Sequence, residues 1–262
     1  MITSTSNAQI KELAKLQKKS RLRDEKGIFL VEGPRMTEEI PAERIEKVYA
    51  SESFAKKNKE FLEKLQAPVE LLTDTVFAYV SDTKTPQGIL LVMEQRSCEI
   101  CEMLDLDAQG RKPLLMVLDN LQDPGNLGTI LRAGEAAGVT GVIMSHDCVD
   151  IYNPKTIRST MGSIYRMPFF VTRDLAETIC ELKNAGVKTN AAHLKGKMQY
   201  DEPDYTGATA FMIGNEGNGL SDEIADLADT YIKIPMCGQV ESLNAAISAS
   251  LLMYETNRQR RI

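Results

Sequence analysis

The sequence predicts an α/β protein of two domains, a smaller one followed by a larger one with a mostly parallel sheet. Three observations predict it. Short apolar runs of strand character alternate with amphipathic, helix-like stretches along the chain. Hydrophobic periodicity is lost between Gln95 and Lys112, a stretch that runs into QGRKP. Near the C-terminus, IGNEGNGLSDEI (213–224) and IKIPMCGQVESLNAAISA (232–249) each read as a strand running into a tight loop and then a helix. The expected division is residues 1–96, a linker at 97–112, and residues 113–262.

In the first domain, residues 7–19 and 53–66 read as helices, and 28–31, 45–50, 69–72 and 88–94 as strands, which suggests a compact α/β sandwich. In the second, strands are expected at 114–118, 142–145, 169–172, 187–191, 210–213 and 231–235 with helices between them, the pattern of a largely parallel sheet. Asn126 is placed to cap a helix that ends at Gly138. Ser221 can cap a helix with Asp222 and Glu223 in its positive first turn, and Ser242 a long helix rich in small residues. Glycine-containing loops at strand ends, followed by polar helix starts, suit a ligand pocket in an open α/β sheet.

A chain of 262 residues with 43% hydrophobic content can bury a real core. It has no run of about 18 apolar residues, and its opening MITSTSNAQIKELAKLQKK lacks an apolar signal core. Neither a membrane span nor secretion is expected, and the cytoplasm is the expected compartment. Five cysteines with a single CxxC pair, Cys98 and Cys101, and two histidines do not make a four-ligand zinc site, so no metal is expected. Reduced thiols are the plainer reading. The net charge of −6, with a pI near 5.2, argues against a nucleic-acid partner, because phosphate contacts draw on Lys and Arg. The distribution argues otherwise. Residues 1–35 carry Lys11, Lys15, Lys18, Lys19, Arg21, Arg23, Lys26 and Arg35 against Glu12, Asp24, Glu25 and Glu32, and Arg258, Arg260 and Arg261 form a second basic cluster. A solvated helix face explains such clusters unless other features point to RNA.

Such features exist. The apolar run at 114–118 is followed by DNLQDPGNLGTILRAGEAAG (119–138). The order DPGNLGTILR, IGNEGNGLS, IPMCGQVESLN resembles the three motifs of the SpoU (TrmH-like) RNA ribose methyltransferases of the SPOUT superfamily, and YNPKTIRSTMGSIYRMP between them is similar to the family as well. Three motifs in order are a far more specific signal than a lone glycine pattern, and no GxGxxG in a Rossmann context competes with them. The N-terminal domain resembles, more weakly, the small substrate-binding domain that precedes the catalytic domain in some members.

The resemblance implies a SPOUT domain whose C-terminal segment passes through a loop to form a deep trefoil knot, a feature nearly absent elsewhere. It implies an S-adenosylmethionine pocket made by the knotted loops, with the second and third motifs against each other, and a homodimer formed with the help of the last helix. The implied reaction is methyl transfer to a ribose 2′-hydroxyl of RNA. Ribosomal RNA, 23S, is the expected substrate and transfer RNA the alternative. By the same resemblance Asn126, Arg132, Glu216, Ser242 and Asn244 match functional polar positions, and Gly214, Ile234, Met236 and Leu243 match positions that enclose the cofactor.

A ribose hydroxyl is a weak nucleophile, so the reaction needs in-line alignment with a sulfonium methyl and help in removing the proton. It needs no metal. A guanidinium, with a pKa above about 12, is a poor base. The preferred reading is that Arg132 clamps the target phosphate and stabilises developing alkoxide charge, while a phosphate oxygen or water takes the proton. The plainer alternative pairs Arg132 with Glu135 on an exposed helix. Asn126 and Arg132, nearly two turns apart, share a face only if Asn126 sits at the cap. Glu216, between Gly214 and Gly217, can orient Arg132 or the substrate, or cap the helix starting near Ser221. Ser242 and Asn244 sit where helix caps are common without catalytic meaning, and Ile234 and Leu243 also pass as core.

Other conspicuous residues carry less. His146 and His193 have no Ser or Cys partner in a triad pattern, and Met212, Met236 and Met253 suit core packing. Tyr152, Tyr165 and Phe169 stack on bases or pack inside, and Ala245, Ala246, Ser248, Ala249 and Ser250 permit close helix approach. Two further readings stay open: a non-catalytic RNA-binding protein on this fold, marked by failure to bind S-adenosylmethionine, and a SPOUT enzyme acting on a base nitrogen, against which the SLN of the third motif speaks.

Overall fold

The computed structural model describes residues 1–96, 98–105 and 110–261. The chain gathers into two compact units, Met1–Arg96 with Asp150–Tyr165, and Ser97–Val149 with Arg166–Ile262. The first runs α1 (Ala8–Lys18), α2 (Ser20–Lys26), β1 (Ile28–Glu32), α3 (Pro34–Thr37), β2 (Ile45–Ser51), α4 (Glu52–Lys57), α5 (Lys59–Lys64), β3 (Val69–Leu72), α6 (Asp74–Val80) and β4 (Ile89–Glu94). Its sheet has the order β1–β4–β2–β3, antiparallel except between β2 and β3. Ile10, Leu13 and Leu16 form the apolar stripe of α1 and pack with Leu72, Phe77 and Leu90 in one core. The helix expected over 53–66 is two helices. Asn58 leaves helical geometry (φ −127°, ψ 42°) and its side chain donates to Phe54 O at 3.0 Å, an amide competing with the backbone.

The second unit continues with α7 (Ile100–Leu104), β5 (Leu114–Leu118), α8 (Pro124–Ala137) and β6 (Gly141–Ser145). After α9 (Pro154–Thr160), which belongs to the first unit, come β7 (Phe169–Thr172), α10 (Leu175–Asn184), β8 (Lys188–Ala192), β9 (Met198–Gln199), β10 (Thr209–Ile213), α11 (Asp222–Ala225), β11 (Thr230–Lys233) and α12 (Ala245–Arg260). The strand order is β7–β6–β5–β10–β8–β11–β9, with every pairing parallel. Every residue of β5, β6 and β10 is buried, as in a sheet covered on both faces. The last of the expected strands stops at Lys233, two residues before Pro235, which has no N–H for a ladder.

The stretch read as a linker holds α7, closed by a capping box between Glu99 and Glu102, and buries Met103 and Cys98 in the core of the second unit. Ser97 and residues 106–109 of that stretch lie outside the described residues. The small residues of α12 are used inside the chain: Ala245, Ala246 and Ala249 are buried, and the helix lies along α8.

In the first unit one charge is buried. Arg23 is 3% exposed, donates to Leu16 O at 2.5 Å and pairs through its second amino group with Asp150. Asp150 also accepts from Tyr152 N at 2.8 Å, and the Tyr152 ring lies 4.6 Å from Phe29, so the ion pair anchors the inserted segment beside β1. An unpaired buried guanidinium is costly. Asp150→Ala is therefore expected to destabilise the protein by about 3–5 kcal/mol in a denaturant titration. Arg23→Met, which removes the buried charge and leaves a partly exposed carboxylate, is expected to cost clearly less; equal losses would show that the charge pair is not the anchor.

Candidate active site

Loops after β5, β10 and β11 meet at the carboxyl ends of these parallel strands. The first enters α8. Its N-cap is Asp123, which accepts from Asn126 N at 2.8 Å, with Pro124 at the first helical position, where a missing N–H costs nothing. Asn126, read from the sequence as the cap, is thus inside the helix. At 100° per residue it and Arg132 point about 120° apart around the axis, so one face does not present both.

Asn126 instead joins the three loops. Its Nδ2 donates to Glu216 Oε1 at 2.9 Å, and its Oδ1 accepts from Asn244 Nδ2 at 2.9 Å. Glu216 also accepts from the backbone amides of Gln122 and Asp123, each at 2.9 Å. Partial burial pushes the Glu216 carboxyl up, but the bonds from Asn126, Gln122 and Asp123 outweigh it and hold the group below the usual carboxylate range. An ionised carboxylate at the entrance of α8 also sits at the favourable end of the helix dipole. Glu216 therefore ties its loop to α8. It does not cap α11, whose cap is Ser221 through Ile224 N, and it makes no bond to Arg132.

The second loop folds back on itself. Asn215 and Gly219 exchange backbone hydrogen bonds of 3.0 and 2.8 Å, and the Asn215 side chain accepts from Gly217 N and Asn218 N while donating to Asn120 O at 2.9 Å. A Cβ on Gly214 would stand 2.1 Å from the backbone of Gly219 and Leu220, so only glycine permits the fold-back. The third loop ends at Asn244, which caps α12 by accepting from Ala246 N at 2.9 Å and Ile247 N at 3.3 Å. Ser242, expected as that cap, is exposed two residues earlier and makes no hydrogen bond among the described residues. Asn wins the position because its carbonyl caps while its amide reaches Asn126.

The second and third loops enclose a cavity of about 270 Å³ lined by Gly214, Glu216, Ile234, Met236, Ser242 and Leu243, with His193 and Leu194 from the end of β8; the first loop joins it through its bonds to Glu216. Six of the nine site residues expected from the sequence line it, and Asn126 and Asn244 are bonded to its wall. Arg132 is exposed on α8 with no partner among the described residues; Glu135 is held instead by Arg166, with Nη2–Oε2 at 3.1 Å, so the Arg132–Glu135 pairing does not form. The larger cavity, about 780 Å³ in the first unit, contains none of these residues. His193, conspicuous in the sequence as a loop residue near the expected cofactor edge but given no role there, lines the cavity. Its ring accepts from Lys195 N at 3.1 Å and stands edge-on to Tyr231, and it reaches the cavity because β8 lies between β10 and β11. Asn215 was legible as the asparagine of a glycine-flanked turn. Among the described residues no three His, Cys, Asp or Glu side chains gather as a metal site.

The model of the SpoU rRNA Methylase family matches residues 113–254, and that of the MRM3-like substrate binding domain matches residues 7–91. The 23S rRNA (guanosine(2553)-2′-O)-methyltransferase RlmP of Bacillus subtilis (strain 168) is 34% identical over 256 residues, 97% of each chain. The SpoU methyltransferase AviRb from Streptomyces viridochromogenes, in complex with the cofactor AdoMet, has a TM-score of 0.87 at 26% identity and covers 97% of this chain and 98% of its own. An AdoMet-bound rRNA methyltransferase from Sinorhizobium meliloti has a TM-score of 0.84 at 27% identity, covering 98% and 97%. With three motif loops hydrogen-bonded together beside one cavity and a relative that matches 97% of its length, the chain belongs to the SpoU rRNA methylase family.

Proposed function

We propose that this protein transfers the methyl group of S-adenosylmethionine to a ribose 2′-hydroxyl of RNA, with 23S ribosomal RNA as its substrate. The observation that carries the reading is the Glu216–Asn126–Asn244 chain, which ties all three motif loops together beside the cavity that the second and third of them line. The curated relative named for 23S rRNA matches both units, which favours ribosomal over transfer RNA. Residues 1–96 select the RNA, 113–262 carry the transfer, and 97–112 join them. The C-terminal segment is threaded as a deep trefoil knot, a path that suits the second and third motif loops sharing one cavity. The free cysteines suit a reducing compartment, the cytoplasm.

The cavity suits the cofactor. Ile234, Met236 and Leu243 offer apolar contact to a flat base, the turned backbone after Gly214 offers polar groups, and Glu216 and Glu241 favour a cationic ligand. When bound, S-adenosylmethionine supplies an electrophilic sulfonium methyl. Ser242, with a free hydroxyl at the cavity, can hydrogen-bond the ribose. Arg132, exposed and without a partner among the described residues, clamps the target phosphate and stabilises the developing alkoxide, and the proton leaves to a phosphate oxygen or water. Glu216 acts by position: it holds Asn126 and the start of α8 in register with the third loop.

On α12, Ile247, Leu251 and Tyr254 are 53%, 37% and 48% exposed at i, i+4, i+7 spacing, an apolar face that suits a second copy of this chain. Leu251→Glu is expected to turn a dimer into a monomer in sedimentation; a monomeric wild type would reject the assembly.

Quantitative 2′-O-methyl mapping of ribosomal and transfer RNA from cells with and without the protein tests the reaction. One ribosomal site should disappear with the protein and with Arg132→Ala. Arg132→Lys keeps the charge and loses the fork, so kcat is expected to fall at least roughly tenfold; near-full activity would remove any need for guanidinium geometry. Because the folded Glu216 pKa is depressed, its tie is fully present above the ordinary glutamate value of about 4.3 and is lost as pH falls through the folded one. Calorimetric binding of S-adenosylmethionine should therefore hold from neutral pH into the carboxylate range and then drop. In Glu216→Gln it should be weaker at neutral pH, with a flatter acid limb; an identical limb would assign the titration elsewhere.

A further inference from the structure

The first unit has a polar cavity of about 330 Å³ where β2 and β3 end and β4 begins. That volume is at the lower end of the range of about 300–1,000 Å³ typical of small-ligand sites. Ser51 N donates to Gly88 O at 2.8 Å, closing the sheet at this end. Gly88 has φ 86°, and a Cβ on it would stand 2.7 Å from Phe54 Cβ and 2.8 Å from Ser51 Oγ, so the chain turns into β4 only as glycine.

The lining combines three kinds of group. Asp74 Oδ1 accepts from Ser53 Oγ at 2.7 Å and from Ser53 N at 3.3 Å, and the Ser53 hydroxyl holds the carboxyl below the usual range, so a charged acceptor stands at the cavity at neutral pH. Gln87 and Lys57 are exposed there, and neither has a hydrogen-bond or ion-pair partner among the described residues. Phe54, Phe77 and Pro86 add apolar surface.

We propose that this cavity is a second RNA site, taking one unpaired nucleobase of the substrate. Asp74 accepts from N–H groups on the base edge, the Gln87 amide supplies a donor and an acceptor beside it, the apolar side chains meet the base face, and Lys57 takes a flanking phosphate. Sequence-specific RNA recognition reads bases that have left the stack, and a carboxylate is matched to a base amino group. Bases with an exocyclic amino group are favoured over uracil. The inference rests on the reading that RNA is the substrate.

The test has two arms on the full chain. Isotope-labelled protein is titrated with AMP, CMP, GMP, UMP and inorganic phosphate while backbone amide shifts are followed. The amino-bearing nucleotides are expected to move Ser53, Asp74 and Gln87 more than UMP does, and phosphate to act near Lys57 alone. Equal shifts from phosphate and all four nucleotides, or none at these residues, would overturn base recognition. In the second arm, methylation of ribosomal RNA from cells lacking the protein is measured. Gln87→Ala and Asp74→Asn should raise KM for RNA roughly tenfold while kcat and S-adenosylmethionine binding stay as in the wild type. Gln87 makes no bond that folding needs, so an unchanged KM in Gln87→Ala overturns the site and leaves methyl transfer standing. A wild type that binds S-adenosylmethionine but modifies no RNA instead overturns the proposed function, and the nucleotide titration still decides the cavity.

Discussion

The second unit depends on one carboxylate at the mouth of a helix. Glu216 collects two backbone amides and the Asn126 side chain, and Asn126 passes the connection to Asn244. Charge-assisted bonds of this kind are about twice as strong as neutral ones, and each fixes a direction as well as a distance. Residues ninety or more positions apart are thereby held in hydrogen-bond register. Each amide in the chain is used at both ends: Asn244 caps α12 with its oxygen and reaches Asn126 with its nitrogen.

A parallel sheet makes this convergence possible. All the strands run the same way, so the loops after β5, β10 and β11 leave from one edge, and helices return the chain to the other. The edge is crowded, which explains the backbone there. Gly214 allows two segments of its loop to touch, and Asn120, at φ 54°, holds a left-handed turn that a short amide side chain tolerates. The cavity is thus bounded by turned main chain as much as by side chains.

The first unit is built on a different constraint. Its mixed sheet is joined by a segment from far along the chain, whose helix α9 packs against β1 and which is tied by a guanidinium that has almost no contact with water. Such a pair contributes little net stability compared with an apolar substitute, but it admits one docking of the segment and penalises others. At the polar end of the same sheet Lys57 and Gln87 are exposed without a partner among the described residues.

The sequence by itself determined the local elements and the family. The runs at 114–118, 169–172 and 69–72 are strands as expected, because short apolar stretches between turn residues have few alternatives. The three motifs also placed Gly214, Glu216, Ser242 and Leu243 in one neighbourhood. The sequence did not determine which polar residue serves which partner. Asp123 and Asn126 are both good caps, as are Ser242 and Asn244, and local preference separates them by well under about 1 kcal/mol. Pro124, a local signal, fixed the start of α8 at Asp123; tertiary contacts decided the rest, because the demand of Glu216 and Asn244 for Asn126 set its orientation and Asn244 took the cap of α12. The same holds for His193, which became part of the cavity wall because β8 paired with β10 and β11. Strand order and hydrogen-bond partners depend on contacts distant in sequence, so no local pattern encodes them.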